Sequence, residues 1–261
     1  MQAFADLTQF RVSLANFVAV VTMDNPPVNA QARVFHEEAM RVFDTLSDLD
    51  ECRAIVLTGA GKCFSAGADI KGRAGKQPEA GELWQHNRRA RECFHSITEC
   101  RKPVIAAING AALGAGLAVA AACDILVAAE EASLGLPEID VGLLGGGRHA
   151  MRLFGHSRVR RMMLTGLRVG GAELYRLGVV EACVPQAQLM DTALGIAREI
   201  ASKSPIAIKL AKHALNTIEE MSLRDGYRFE QNMTAELSRY EDSREAMLAF
   251  AEKRKPVFTG R

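Results

Sequence analysis

The 21 residues from Pro103 to Cys123 carry no charged side chain. A run of that length is long enough to cross a bilayer. Its interior, however, is broken by Asn109, Gly110, Gly114 and Gly116, and most of the remainder is Ala and Val. That composition predicts a buried strand, a glycine turn and a buried helix rather than a membrane span. A segment buried on every side needs a large globular body around it. A chain of 261 residues supplies one without a disulfide or metal staple.

The rest of the chain is patterned to provide that body. Phe17 to Met23 (FVAVVTM) predicts a strand, stopped by Asp24-Asn25-Pro26-Pro27. Gln31 to Leu49 has helical apolar spacing at Val34, Ala39, Val42, Phe43, Leu46 and Leu49. Ala54 to Thr58, Val104 to Ile108 and Asp124 to Ala129 predict buried strands, and Val179 to Val184 a shorter one. Charge-rich Glu82 to Ile97 and small-residue Gly114 to Ala122 predict helices between them. Strand and helix alternate as far as Pro185, which implies an α/β fold with mainly parallel sheet buried on both faces. Beyond Pro185 only helices are expected, over Leu189–Lys203, Ala207–Glu220, Leu223–Leu237 and Ser243–Lys253.

Charge narrows the partners. Thirty-two Lys and Arg against 31 Asp and Glu leave a net charge of +1, with no general attraction to nucleic acid or an anionic membrane. A polyanionic ligand must therefore meet local cations. Arg88, Arg89 and Arg91 read as a solvated helix face, and Arg158, Arg160 and Arg161 lack the aromatic interleaving of a nucleic-acid surface. The cysteines Cys52, Cys63, Cys93, Cys100, Cys123 and Cys183 form no CxxC pair, and no His pair has metal-ligand spacing. They read as free thiols of a reducing, cytoplasmic setting, and the opening MQAFADLTQF lacks a secretory pattern.

Three segments suggest chemistry. Around Gly67, Lys62 to Lys71 is a strand exit built of small residues that let a ligand approach backbone N–H groups. Asn109 to Leu117 is a second such exit, leading into a helix start with its partial positive charge. Two exits after neighbouring strands can aim two N–H groups at one oxygen, as stabilising an enolate requires; tight turns and plain helix packing would leave the same traces. In Gly135 to Gly142, Glu138 lies in an apolar, glycine-punctuated loop. Burial there would raise its pKa into a useful acid/base range, unless it only caps a helix or pairs with an Arg.

Together, FSAGADIK (Phe64–Lys71), NGAALGAGLAVAAACDILVAA (Asn109–Ala129) and LGLPEIDVGLLGGG (Leu134–Gly147) resemble the crotonase family, also called the enoyl-CoA hydratase/isomerase family. LTG at Leu164–Gly166, GVVEACVP at Gly178–Pro185 and FAEKRKPVF at Phe250–Phe258 extend the resemblance along the chain in unbroken order. It implies a crotonase-like spiral of ββα units with the acyl-CoA site over residues 1–195, and a C-terminal helical oligomerisation region over 196–261 that builds trimers or hexamers. Coenzyme A is then part of the substrate, and neither a metal nor a redox cofactor is implied.

By position, the resemblance makes the N–H groups of Ala68 and Ala115 the oxyanion donors. Most members carry Gly at the second position, so the Ala115 methyl is expected to narrow the acyl pocket. Ala66, Gly67, Asp69, Ile70, Lys71, Gly114 and Gly146 fall on the acyl-CoA path, with Lys71 toward a phosphate. Phe250 and Lys253 match a C-terminal contact to CoA that often comes from a neighbouring subunit. Trp84 and His86 fall in the variable helix that lines the acyl pocket.

Family hydratases hold one water between two glutamates. The second matches Glu138, while the first falls at Ala118, which can neither give nor take a proton. One carboxylate suits moving a proton between carbons better than splitting water. The preferred reading is therefore double-bond isomerisation of an enoyl-CoA. Hydration of an enoyl-CoA, including an activated one, is the alternative, and a non-catalytic acyl-CoA binding subunit is the reading from another class. Asp140, expected on the same face of an extended segment as Glu138, and His149 are the candidates for a second acid/base group.

Overall fold

The computed structural model describes residues 2–72, 75 and 77–261. Its central sheet has the strand order β1-β2-β3-β5-β7-β10. β1 (Phe10–Ala15) and β2 (Val18–Met23) form an antiparallel hairpin through Asn16 and Phe17, both at positive φ. From β2 the sheet runs parallel through β3 (Ala54–Gly59), β5 (Val104–Ile108), β7 (Ile125–Ala129) and β10 (Ala182–Val184). β3 and β5 are buried at every residue, as their unbroken apolar runs require.

A second, smaller sheet holds β4 (Cys63–Ser65), β6 (Ala111–Leu113), β8 (Ser133–Gly135) and β9 (Arg168–Gly170), in that order. β3, β5 and β7 of the first sheet are each followed by a short strand of the second and then a helical segment. β3 and β4 lead to α2 (Glu82–Thr98), β5 and β6 to α3 (Ala115–Ala122), and β7 and β8 to a 3₁₀ turn over Pro137–Val141. This is the expected spiral of ββα units. The charge-free stretch Pro103–Cys123 supplies β5, β6 and α3 of one unit, and no helix among the described residues is long and apolar enough to cross a membrane.

α1 (Arg33–Asp48) follows β2 and packs Phe35, Ala39, Val42, Phe43 and Leu46 into the core. After the 3₁₀ turn come α4 (Gly147–Leu153), α5 (His156–Thr165) and α6 (Gly171–Arg176). All six cysteines are unpaired. Burial pushes the Cys52 and Cys93 thiols up to about 12, so these two serve packing rather than nucleophilic chemistry.

α7 (Leu189–Ala201) lays Leu189, Ala193, Ala197 and Ala201 into the core. The division expected between residues 195 and 196 falls inside this helix. Its i, i+4 apolar stripe is continuous across that point. α8 (Pro205–Ile218), α9 (Leu223–Leu237) and α10 (Glu241–Ala251) follow. Ser204 and Ser222 cap α8 and α9 by accepting hydrogen bonds from Ala207 N and Asp225 N. α8 is tied to the core by Lys212, whose buried ammonium donates to Asp124 at 2.7 Å and to the Lys102 and Ile97 carbonyls.

Candidate active site

The two glycine turns meet at the start of α3. Gly67 has φ +86, and a Cβ there would collide with the Leu113 carbonyl and lie 3.1 Å from Ala115 N. Only glycine allows both that conformation and that approach. Gln31 fixes the first turn: its N–H donates to Gly67 O at 2.8 Å, and its carbonyl accepts from Asp69 N at 2.9 Å. Ala68, between them, bridges to Gln31 in parallel register. Its own N–H donates to no acceptor among the described residues. Ala115 opens α3, so its N–H has no carbonyl a turn before it to bond. Two unspent amides thus flank the closest approach of the two turns, and the helix start adds partial positive charge.

Glu138 sits over the second turn. Gly114 has φ +57, and its missing side chain leaves the space that the Glu138 carboxylate occupies, in collision range of a Cβ. Gly145 bounds the other side, 3.7 Å from Glu138 Oε1 to the position of a Cβ. Glu138 Oε2 is buried and has no hydrogen-bond partner among the described residues. Burial pushes the carboxyl above its ordinary value of 4.5, partly offset by a hydrogen bond from its own backbone N–H. Among the described residues no Arg pairs with it and it caps no neighbour, so the two structural roles open from the sequence do not describe it. An unpaired, half-buried carboxylate beside two unspent N–H groups can carry a proton to and from a carbon whose charge those groups hold.

A profile described as enoyl-CoA hydratase/isomerase matches residues 14–261. The chain belongs to the enoyl-CoA hydratase/isomerase family. Among its relatives, a probable enoyl-CoA hydratase of Rhizobium meliloti is 37% identical over 257 residues, covering 94% of this chain and 95% of that one. The carnitinyl-CoA dehydratase of Escherichia coli K12 is 37% identical over 255 residues, 92% of this chain and 94% of that one. The solved structure of an enoyl-CoA hydratase from Bacillus anthracis superposes with a TM-score of 0.92 at 33% identity, covering 97% of this chain and all of that one.

The family resemblance singled out residues that the fold brings together only in part. Ala66 to Asp69, Gly114, Ala115, Glu138 and Gly146 converge. Gly146 caps α4 at φ +72, and a Cβ on it would lie 3.5 Å from the Gly114 carbonyl. The Asp69 carboxylate accepts from Gly72 N at 3.0 Å and so closes its own turn. Ile70 and Lys71 are exposed just beyond it. Phe250 and Lys253 stand together at the end of α10, both exposed, with Lys253 N donating to Phe250 O.

Asp140 corrects one expectation. Pro137–Val141 is a 3₁₀ turn, not an extended run, and in a threefold helix a residue two positions on points elsewhere. The Asp140 carboxylate lies against Gly166 instead, 2.7 Å from the position of a Cβ there. His149 packs edge-on to Phe94 at 5.1 Å. Burial, Arg152, His95 and Arg148 all lower its pKa, which keeps the ring neutral at neutral pH. Ala118 is buried in α3. Trp84 is two-thirds exposed, whereas Arg89, expected among the solvated arginines, is partly buried.

Three polar side chains outside the expected site residues hold the first turn in place. Buried Asn29 donates to the Cys63 and Phe64 carbonyls, and Ser65 Oγ donates to Asn29 O at 2.7 Å. Gln31 Nε2 donates to Ser65 Oγ at 3.1 Å. Polar side chains just before an amphipathic helix read as helix-start residues, and only their burial separates this clamp from a cap.

The Ala115 methyl stands half-buried beside the second amide. Ala115→Gly is expected to raise kcat/KM for branched relative to straight acyl chains by several-fold, measured as a ratio within each enzyme. An unchanged ratio would show that the methyl does not bound the pocket.

Proposed function

We propose that this chain isomerises the double bond of an enoyl-CoA, with Glu138 as the single acid/base group. The observation that carries this reading is the unpaired, desolvated Glu138 carboxylate beside the Ala115 amide, with a buried alanine at position 118. Glu138 takes a proton from the carbon between the thioester and the double bond of a 3-enoyl-CoA. The electron pair moves onto the thioester oxygen, where the Ala68 and Ala115 N–H groups hold the dienolate. Glu138, now neutral, returns the proton to the γ carbon, and the double bond comes to rest next to the carbonyl. One proton leaves the substrate and one returns, exchanging with solvent while Glu138 holds it, so no water is consumed and one carboxylate suffices.

Water addition, or its reverse, is the second reading. The names of the relatives favour it, since they are hydratases and a dehydratase. It needs a further acid, or a substrate that supplies its own. Mass spectrometry of products from 2-enoyl- and 3-enoyl-CoA thioesters separates the two: an unchanged mass with a displaced double bond supports isomerisation, and gain of water replaces it with hydration. Binding without turnover on the whole panel would leave a non-catalytic acyl-CoA binding subunit.

The pH profile carries a signed expectation. The working base is the carboxylate, so kcat/KM falls as pH drops through a value above 4.5, the ordinary glutamate value. Stability runs the other way. A carboxyl whose folded pKa is raised stabilises the fold fully below its unfolded pKa, and that contribution is lost as pH rises through the folded value. Glu138→Gln is therefore expected to melt above the native protein at neutral pH and level with it in acid. A lower Tm for the variant at neutral pH would contradict this.

The oligomer and the CoA contact fit the same reading. Leu223, Phe250 and Val257 expose large apolar surface on the C-terminal region, as helices that build a homotrimer or hexamer would. Lys253 and Lys71 are the cations assigned to CoA, and the free thiols suit a cytoplasmic setting.

A further inference from the structure

A cleft of about 490 Å³ lies between the first glycine turn and α2, lined among others by Gln31, Asp69, Glu82, His86 and Arg89. Two of its residues keep buried polar atoms without partners: Gln31 Oε1, an acceptor, and Arg89 Nε, a donor. Buried polar atoms are rarely left unpaired, because each costs its full desolvation. The orientation of the Gln31 amide follows from its surroundings. Ser65 Oγ has one proton and gives it to Asn29 O at 2.7 Å. Ser65 therefore accepts from Gln31 Nε2, and the Gln31 oxygen is the end left over.

The neighbouring charges are already engaged. Arg33 pairs with Glu37 at 2.8 Å. Asp69 accepts from Gly72 N and Glu82 from Glu79 N, each at 3.0 Å. Arg89 has no ion pair or hydrogen bond among the described residues. Asp69 and Glu82 line the same cleft as Arg89, which favours a neutral oxygen there over a further carboxylate. A hydroxyl suits either unpartnered atom, since it can accept from Arg89 Nε or donate to Gln31 Oε1.

We propose that the cleft receives the far end of the acyl group, and that the preferred acyl-CoA carries a hydroxyl there, away from the thioester. This rests on the reading of the neighbouring turns as an acyl-CoA site, but not on which reaction Glu138 performs. The test is binding, by calorimetry, of saturated and unreactive acyl-CoA thioesters with methyl, hydroxyl or carboxylate ends over a series of chain lengths. At the best-fitting length the hydroxyl-ended thioester is expected to bind about tenfold tighter than the methyl-ended one. In Arg89→Met, a change on a partly exposed helix face, that preference should fall to near unity.

Equal binding of hydroxyl and methyl ends, a preference that survives in Arg89→Met, or a stronger preference for the carboxylate would each overturn the assignment. Failure of every thioester to bind would overturn the acyl-CoA reading itself. Absence of turnover with selective binding intact would touch only the reaction.

Discussion

Replacing Glu138 by glutamine is expected to lower kcat by about two to four orders of magnitude, with little change in acyl-CoA affinity. The amide keeps the shape of the side chain and removes its proton chemistry. No described carboxylate stands ready to take over, because Asp140 lies against Gly166 and Asp69 is held by Gly72 N. Steady-state kinetics separates the cases: loss in kcat with KM preserved marks an acid/base group, and loss confined to KM would make Glu138 a binding residue. The circular dichroism of the variant should match the native protein, since a neutral amide is easier to bury than a carboxylate.

The second large effect is on stability. Lys212→Met is expected to cost about 3 kcal/mol, a fall in Tm on the order of 10 °C for a chain of this size. Lys212 is almost fully buried and donates to Asp124, Lys102 O and Ile97 O. Asp124 also accepts from Val104 N at 2.7 Å, so one carboxylate joins α8 to the entries of β5 and β7. Without the ammonium, Asp124 keeps its charge and loses its counter-ion. The partial exposure of Asp124 holds the cost toward the low end. Asp124→Asn in the Lys212→Met background should recover part of the loss, because it removes the stranded charge. Equal Tm for Lys212→Met and native protein would show that the pair holds nothing.

The comparison of sequence with fold follows a physical line. β3, β5 and β7 were legible because buried parallel strands read as unbroken apolar runs. α1 was legible from its stripe. β4, β6, β8 and β9 are three residues each, too short for any periodicity, yet they carry both amide turns. β1 alternates as Phe-Arg-Val-Ser-Leu-Ala, but nothing before the hairpin turn separates such an edge strand from a loop. The small residues around Gly67 and Gly114 mark a close approach without saying what approaches.

Charged residues were the hardest to place. Arg89 is flanked by Arg88 and Arg91, and only the packing of α2 distinguishes the one that lines the cleft. Lys212 and Lys209 lie in one KLAKH stretch, the first buried and the second exposed. Asp140 was misplaced because two residues from Glu138 means the same face in a strand and a different face in a 3₁₀ turn.

The most direct test of a single-carboxylate mechanism follows a 3-enoyl-CoA in deuterated water by NMR. The double bond is expected to move next to the carbonyl, with deuterium entering only the α and γ carbons, no oxygen added, and every change abolished in Glu138→Gln. Addition of water by the native enzyme, or migration that persists in Glu138→Gln, would contradict the account.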